Sequence, residues 1–204
     1  MAMASTEGPR TAGLVLAAGS SRRLGRPKQL LPYRGRTLLD QVLDTARTCA
    51  FHQLLCALGG GAGDVREQVD LTGVEVVENL NYGSGCSSSI AVALAAVDPR
   101  TDVLVLLLGD QPGVRAATVA TLLAGRGDSA FAVCRYADGR GHPFAFGRAA
   151  FGELAALHGD KAVWKLLDGD AAGVAEVPIA GPAPLDVDTW EDYAAVLAAE
   201  GATA

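Results

Sequence analysis

Short apolar runs alternate along this chain with stretches whose apolar residues recur at helical spacing, and that alternation sets the expected fold. Gly13-Leu14-Val15-Leu16-Ala17 is bounded by glycine and has the length of a buried parallel strand. Leu38 to Ala50 carries Leu39, Val42, Leu43 and Ala46 at helical spacing, and Gln53 to Leu58 reads as a second strand. The glycine run Gly59 to Gly63 leads into a short helix predicted over Asp64 to Val69, with Asp64 as its N-cap. Val74 to Glu78 predicts a third strand. A loop over Asn79 to Gly85 follows, and then a helix over Ser87 to Val97, with a serine N-cap, that stops before Pro99. Asp102 to Leu108 is unbroken apolar sequence after its first residue and reads as the central strand. A helix at Ala116 to Leu123, a strand at Ser129 to Tyr136 and an extended piece at Pro143 to Phe146 come next. Helices near Ala149 to Leu157 and Lys161 to Leu167, a strand at Val174 to Pro178 and a helix from Trp190 to Ala199 complete the pattern.

Strands joined by helices imply parallel neighbours with right-handed crossovers, and ligands then bind at the carboxyl ends of the strands. The expected fold is one three-layer α/β/α domain over residues 11–204, with a mostly parallel, Rossmann-like sheet. Residues 1–10 have no apolar core segment and read as a disordered start rather than an export signal. Half of the residues are hydrophobic but only 5% are aromatic, so the core must be Ala, Leu and Val, which suits layered α/β packing. No apolar run approaches the roughly 20 residues that a membrane span needs. The four cysteines form no CxxC pair and read as reduced, which together with the missing export signal suggests a cytoplasmic protein.

Charge is distributed unevenly. The formal net charge is −6 and the pI near 5.0, which argues against a nucleic-acid-binding surface. Yet seven of the 17 basic residues, and only one of the 23 acidic ones, precede Asp40, so the remainder of the chain carries −12. Those cations cluster around Ala18-Gly19-Ser20-Ser21, small residues that leave the first strand and let a backbone approach a ligand. Cations on a glycine-bearing loop of an acidic protein point to a cradle for polyphosphate.

The segment LAAGSSRRLGRPK, followed by QLLPYRGRTLL, resembles the nucleotidyltransferases, and within them the branch that attaches a nucleotide to molybdopterin, nearer its cytidylyltransferase side. The resemblance extends from Leu16 to Tyr193. It implies Mg²⁺-dependent transfer of a nucleoside monophosphate from a nucleoside triphosphate to a molybdopterin-type phosphorylated acceptor, with release of pyrophosphate. A molybdoenzyme or its maturation chaperone is the protein partner it implies. Its motifs assign Leu16, Ala17, Ala18, Gly19, Ser20, Ser21, Arg23, Gly25 and Lys28 to the nucleotide, with Arg23 and Lys28 neutralising the phosphates. Arg22 stands beside Arg23 where relatives have Thr, and Leu24 replaces a common Met, so which arginine meets the phosphates stays open.

A carboxylate just past a buried strand sits on the ligand edge of the sheet, and Asp110 of Gly109-Asp110-Gln111-Pro112 does so. The resemblance makes Asp110 the principal metal ligand. Asp186 and Asp188 alternate in Leu185-Asp186-Val187-Asp188-Thr189 and would face one side of an extended segment. Asp188 also fits a capping box with Glu191, whereas the resemblance gives it to the metal; Asp186 is the weaker alternative. Gly83, Gly85 and Ser87, in the loop NLNYGSGCSSS, fall where the family reads the base, and His142 and Lys161 fall on its acceptor side.

Other chemistries lose their motifs. There is no GxxxxGK[ST], no GxSxG and no zinc-ligand spacing among the three histidines. Gly59 to Asp64 approaches a dinucleotide fingerprint, with Glu78 at ribose distance, but Asp64 stands where its last glycine belongs. A guanylyltransferase, a sugar-phosphate nucleotidyltransferase and a non-catalytic nucleotide- or cofactor-binding module remain as alternatives.

Overall fold

The computed structural model describes residues 8–19, 21, 23–159, 162–169 and 173–201. In chain order these form β1 (Thr11–Ala17), β2 (Pro32–Tyr33), β3 (Arg36–Thr37), α1 (Leu38–Arg47), β4 (Gln53–Leu58), α2 (Ala62–Gln68), β5 (Glu75–Glu78) and α3 (Cys86–Ala96). They continue with β6 (Val103–Leu108), α4 (Ala116–Gly125), β7 (Phe131–Tyr136), β8 (Gly139–Gly147), α5 (Phe151–Ala155), α6 (Ala162–Gly169), β9 (Val174–Pro178) and α7 (Trp190–Gly201). The main sheet has seven strands in the order β5-β4-β1-β6-β8-β7-β9. The glycine-led β1 and the apolar β6 lie side by side in its middle, parallel and paired from Thr11↔Val103 to Leu16↔Leu108.

Alternation along the strands builds the three layers. Val15 and Ala17 of β1, with Val103, Val105 and Leu107 of β6, pack against α1, α2 and α4. Ala12 and Leu14, with Leu104 and Leu106, face α3, α5 and α6 on the other side. Both faces of β1 and β6 are therefore apolar, as a central strand requires.

The sheet departs from all-parallel in one place. β8 runs antiparallel to both β6 and β7. β7 reaches β8 through the two-residue turn Ala137-Asp138, with Gly139 at φ 141° paired to Tyr136, a hairpin whose strands neighbour each other without a crossover helix. A smaller hairpin pairs β2 with β3 through Arg34 and Gly35, both at positive φ. The glycine run after β4 also differs from expectation: α2 starts at Ala62 with Gly61 as N-cap, and Asp64 lies inside its first turn. Cβ atoms on Gly59 and Gly60 would come within 2.5 Å of the Ala18 carbonyl oxygen and 2.6 Å of Tyr82 Oη. These glycines seat the Tyr82 ring rather than a dinucleotide, and Glu78 is paired with Arg66 at 2.8 Å.

A third apolar cluster joins Leu24, Leu31, Tyr33 and Leu38 to Val187 and Val196. It presses α7 and the segment before it against the flank of the loop that follows β1. The late carboxylates reach the early lysine through this contact.

Candidate functional site

β1 and β6 end together. The Gly109 N–H bonds the Leu16 carbonyl at 2.9 Å, and a Cβ on Gly109 would stand 3.0 Å from that of Ala17. At this edge opens a cleft of about 660 Å³. Ten of the anticipated residues line it: Leu16, Ala18, Gly19, Ser21, Arg23, Lys28, Gly83, Gly85, Asp110 and Asp188.

The loop after β1 is shaped by internal hydrogen bonds. Ser21, at φ 49°, accepts the Leu24 and Gly25 N–H groups on its carbonyl, and its hydroxyl accepts the Lys28 N–H at 2.9 Å. Gly25 supplies the left-handed turn at φ 69° and does not line the cleft. Ala17 also stays outside it: its carbonyl accepts Gln29 Nε2 at 2.6 Å, and Gly19 O accepts the same group at 3.2 Å. Two loop carbonyls thus turn inward onto a buried carboxamide, away from any phosphate. Gln29 was missed in the sequence, where it is one more polar residue after Lys28 and before Leu30-Leu31-Pro32.

Lys28 is the electrostatic centre. Its ammonium contacts Asp110 Oδ2 and donates to Asp188 Oδ1 at 2.8 Å, while Arg23 Nη2 donates to Asp188 Oδ2 at 3.0 Å. The Lys28 and Asp110 side chains are each 13% exposed, whereas Asp188 is 41% exposed. Burial raises the Asp110 pKa despite the opposing pull of Lys28. The hydrogen bond from Lys28 lowers that of Asp188. Burial alone would depress Lys28, but the two carboxylates outweigh it and its pKa is raised.

Asp188 is free for this role because it does not cap α7. The capping box is Thr189 with Asp192: the Asp192 carboxylate accepts the Thr189 N–H at 2.8 Å, and the Thr189 hydroxyl accepts the Asp192 N–H at 3.2 Å. Shifting the box one residue downstream of the expected Asp188/Glu191 pair leaves Asp188 pointing at Lys28. Asp186 is exposed and acts on Asp110 only through its charge.

Two carboxylates converging on one cation suit a hard divalent metal that takes its remaining ligands from phosphate and water. Among the described residues, no group of three or more His, Cys, Asp or Glu side chains gathers as a metal site, in this cleft or elsewhere.

The opposite wall is the start of α3. Gly85, at φ 102°, is its N-cap in place of the anticipated serine, so Gly83, Gly85, Cys86 and Ser89 line the cleft at the positive end of the helix dipole. Ser87 is buried inside the first turn and does not line it. Asn79 fixes this wall by donating to the Ser88 and Ser89 hydroxyls at 2.8 and 2.9 Å. Tyr82, Cys86, Ser89, Leu108 and Gly109 join Gln29 as lining residues the sequence did not single out.

His142 does not line the cleft. Its ring stacks on Phe144 at 3.9 Å and meets Trp164 edge-on, so the acceptor contact expected of it has no geometric support. Ser20, Arg22 and Lys161 lie outside the described residues. Burial pushes the His142 pKa down to about 3. Between its ordinary value and that one, the unfolded chain takes up a proton that the folded chain excludes, so stability falls as pH falls through this window. We expect His142→Phe, which keeps the stack, to flatten this dependence and spare about 1–2 kcal/mol at pH 5, as urea titrations at pH 7.5 and 5 would show.

Fold and site together define a three-layer α/β protein with a cleft at the carboxyl edge of its sheet, where Arg23, Lys28, Asp110 and Asp188 meet. The chain belongs to the MobA-like NTP transferase domain family, whose profile matches residues 13–176, and by class it is a nucleotidyltransferase. It is 36% identical over 149 residues to a nicotine blue oxidoreductase of Paenarthrobacter nicotinovorans, a match covering 69% of this chain and 72% of that protein. The crystal structure of an Rv0371c homologue from Mycobacterium sp. strain JC1 superimposes with a TM-score of 0.91 at 51% identity, covering 96% of this chain and 98% of that one. Rv0371c of Mycobacterium tuberculosis H37Rv, solved in complex with manganese, gives 0.82 at 49% identity, with 93% and 98% covered.

Proposed function

We propose that this protein transfers a nucleoside monophosphate, with CTP the favoured donor, to the phosphate of a molybdopterin-type acceptor and releases pyrophosphate. The observation that carries this reading is the meeting of Arg23, Lys28, Asp110 and Asp188 beside the loop after β1. An acceptor phosphate monoester is already largely ionised at neutral pH, so no general base is needed. Its oxygen bonds to the α-phosphorus, the bond from that phosphorus to the β-phosphate bridging oxygen breaks, and the electron pair leaves with pyrophosphate. Arg23, Lys28 and the loop N–H groups of Ala18, Gly19 and Ser21 hold the phosphates in line and neutralise the charge that develops. Asp110 and Asp188 would hold Mg²⁺, which supplies Lewis-acid charge at the α-phosphate when bound. The manganese-bound Rv0371c structure supports a divalent ion in this role.

The test is pyrophosphate release with Mg²⁺ and each of CTP, GTP, ATP and UTP, with and without molybdopterin. Release that requires both CTP and molybdopterin is the expected result. Release with GTP instead would move the protein to the guanylyl side, and release only with sugar phosphates would replace the acceptor. The nicotine blue oxidoreductase relative supports a second reading, in which the cleft holds a nucleotide-bearing redox cofactor. Reduction of nicotine blue by NADH or NADPH, with no pyrophosphate formed from any nucleotide, would favour it.

A further inference from the structure

We infer that Gln111 is a positioning residue that sets where Asp188 stands relative to Asp110; the inference rests on the metal-holding role proposed for those two carboxylates. Asp110 is fixed by β6, which ends two residues before it. Asp188 has no strand behind it: it sits in an irregular segment between β9 and α7, where Pro182 and Pro184 supply no N–H groups, and its own N–H is held from the α7 side by the Asp192 carboxylate at 3.1 Å. Two hydrogen bonds tie that segment to the end of β6. The Val187 N–H donates to the Asp110 carbonyl at 3.2 Å, and Gln111 Nε2 donates to the Pro184 carbonyl at 3.2 Å. They bracket the segment three residues apart, and the buried Val187 side chain locks it between them. With both ties made, the residue after Val187 is delivered to the Lys28 ammonium.

The Gln111 carboxamide carries a cost that packing does not explain. The residue is only 7% exposed, and its Oε1 is buried without a hydrogen-bond partner. A methionine would fill the same volume with no orphaned acceptor. What glutamine supplies and methionine cannot is the donor to Pro184. Gln111→Met removes the tie and the orphan together, so fold stability should change little while the hold on Asp188 loosens.

The experiment titrates Mn²⁺ into nucleotide-free full chain, reading free ion by electron paramagnetic resonance, for the wild type, Gln111→Met, Asp188→Asn, the Gln111→Met/Asp188→Asn double variant and Asp110→Asn. Loss of a group that orients a metal ligand costs about 10- to 100-fold in metal affinity. We expect Gln111→Met to weaken Mn²⁺ binding about tenfold with a melting temperature within a few degrees of wild type. In the Asp188→Asn background it should weaken binding no further, because Gln111 acts only through Asp188. Gln111→Leu serves as the second donorless variant should the first fold poorly. Wild-type Mn²⁺ affinity in both donorless variants, or an undiminished loss on top of Asp188→Asn, would overturn the inference and leave the metal reading standing. Mn²⁺ binding that ignores both Asp110→Asn and Asp188→Asn would overturn the two together.

Discussion

Replacing Lys28 by methionine is expected to lower turnover about 10²- to 10³-fold, the typical cost of removing one preorganised group that stabilises transition-state charge. The same change should strengthen binding of Mn²⁺ to the nucleotide-free protein. The opposite signs follow from where the ammonium sits. It touches both Asp110 and Asp188, at the point on which the two carboxylates converge. A metal arriving alone must displace it and leave a lysine that is only 13% exposed without its partners. A metal arriving with a triphosphate gives the ammonium phosphate oxygens to move to.

Lys28 therefore couples the two ligands, and such coupling is reciprocal: whatever nucleotide adds to metal affinity, metal adds to nucleotide affinity. Coupling free energies of this kind correspond to factors of about 5 to 150. In Lys28→Met the nucleotide-free Mn²⁺ affinity should rise by a factor in that range, and most of the gain produced by adding nucleotide should vanish. Paramagnetic titrations with and without nucleotide measure both quantities. Unchanged or weaker metal binding in the variant would show that the lysine helps to hold the metal rather than to fill its place.

How much of this was legible beforehand depended on whether the signal was local. β1, β4 and β6 are short apolar runs, and burial on the sheet faces is what such runs report, whereas β9 lies at the sheet edge with only Val177 buried. Only the second half of the antiparallel β8 was read, as the extended piece at Pro143 to Phe146, because Gly139 and Gly141 weaken the strand pattern of its first half. Lys28 and Asp110 were readable, since one follows a glycine-bearing loop and the other a buried strand. Asp188 was ambiguous for a physical reason: Asp188/Glu191 and Thr189/Asp192 are both admissible capping boxes one residue apart, and sequence alone does not choose the register. Tertiary packing of Val187 and Val196 on Leu31 and Leu38 chooses it. Gln29 and Gln111 were unreadable because each acts by bonding carbonyls of segments that only the fold brings near.

Asp110→Asn should be as damaging as the lysine change but with a different pattern. Asparagine keeps the shape and removes the charge, so the fold should persist while the hard anionic ligand is lost. Asp110 is the more buried of the two carboxylates, and its geometry is fixed by β6. Its loss is expected to lower metal-dependent pyrophosphate release about 10³-fold, against about tenfold for Asp188→Asn. Asp188 is 41% exposed and sits on an irregular segment, so water can take over part of its coordination. Nucleotide affinity without metal should hold or improve in Asp110→Asn, because one negative charge leaves the neighbourhood of the triphosphate and Lys28 is released to meet it. Isothermal titration with nucleotide in a metal chelator measures the second effect, and pyrophosphate release over a range of Mg²⁺ measures the first. Full turnover in Asp110→Asn would remove it from the metal site. Lost turnover together with lost nucleotide affinity would instead make Asp110 a support for the loop after β1, acting through Lys28.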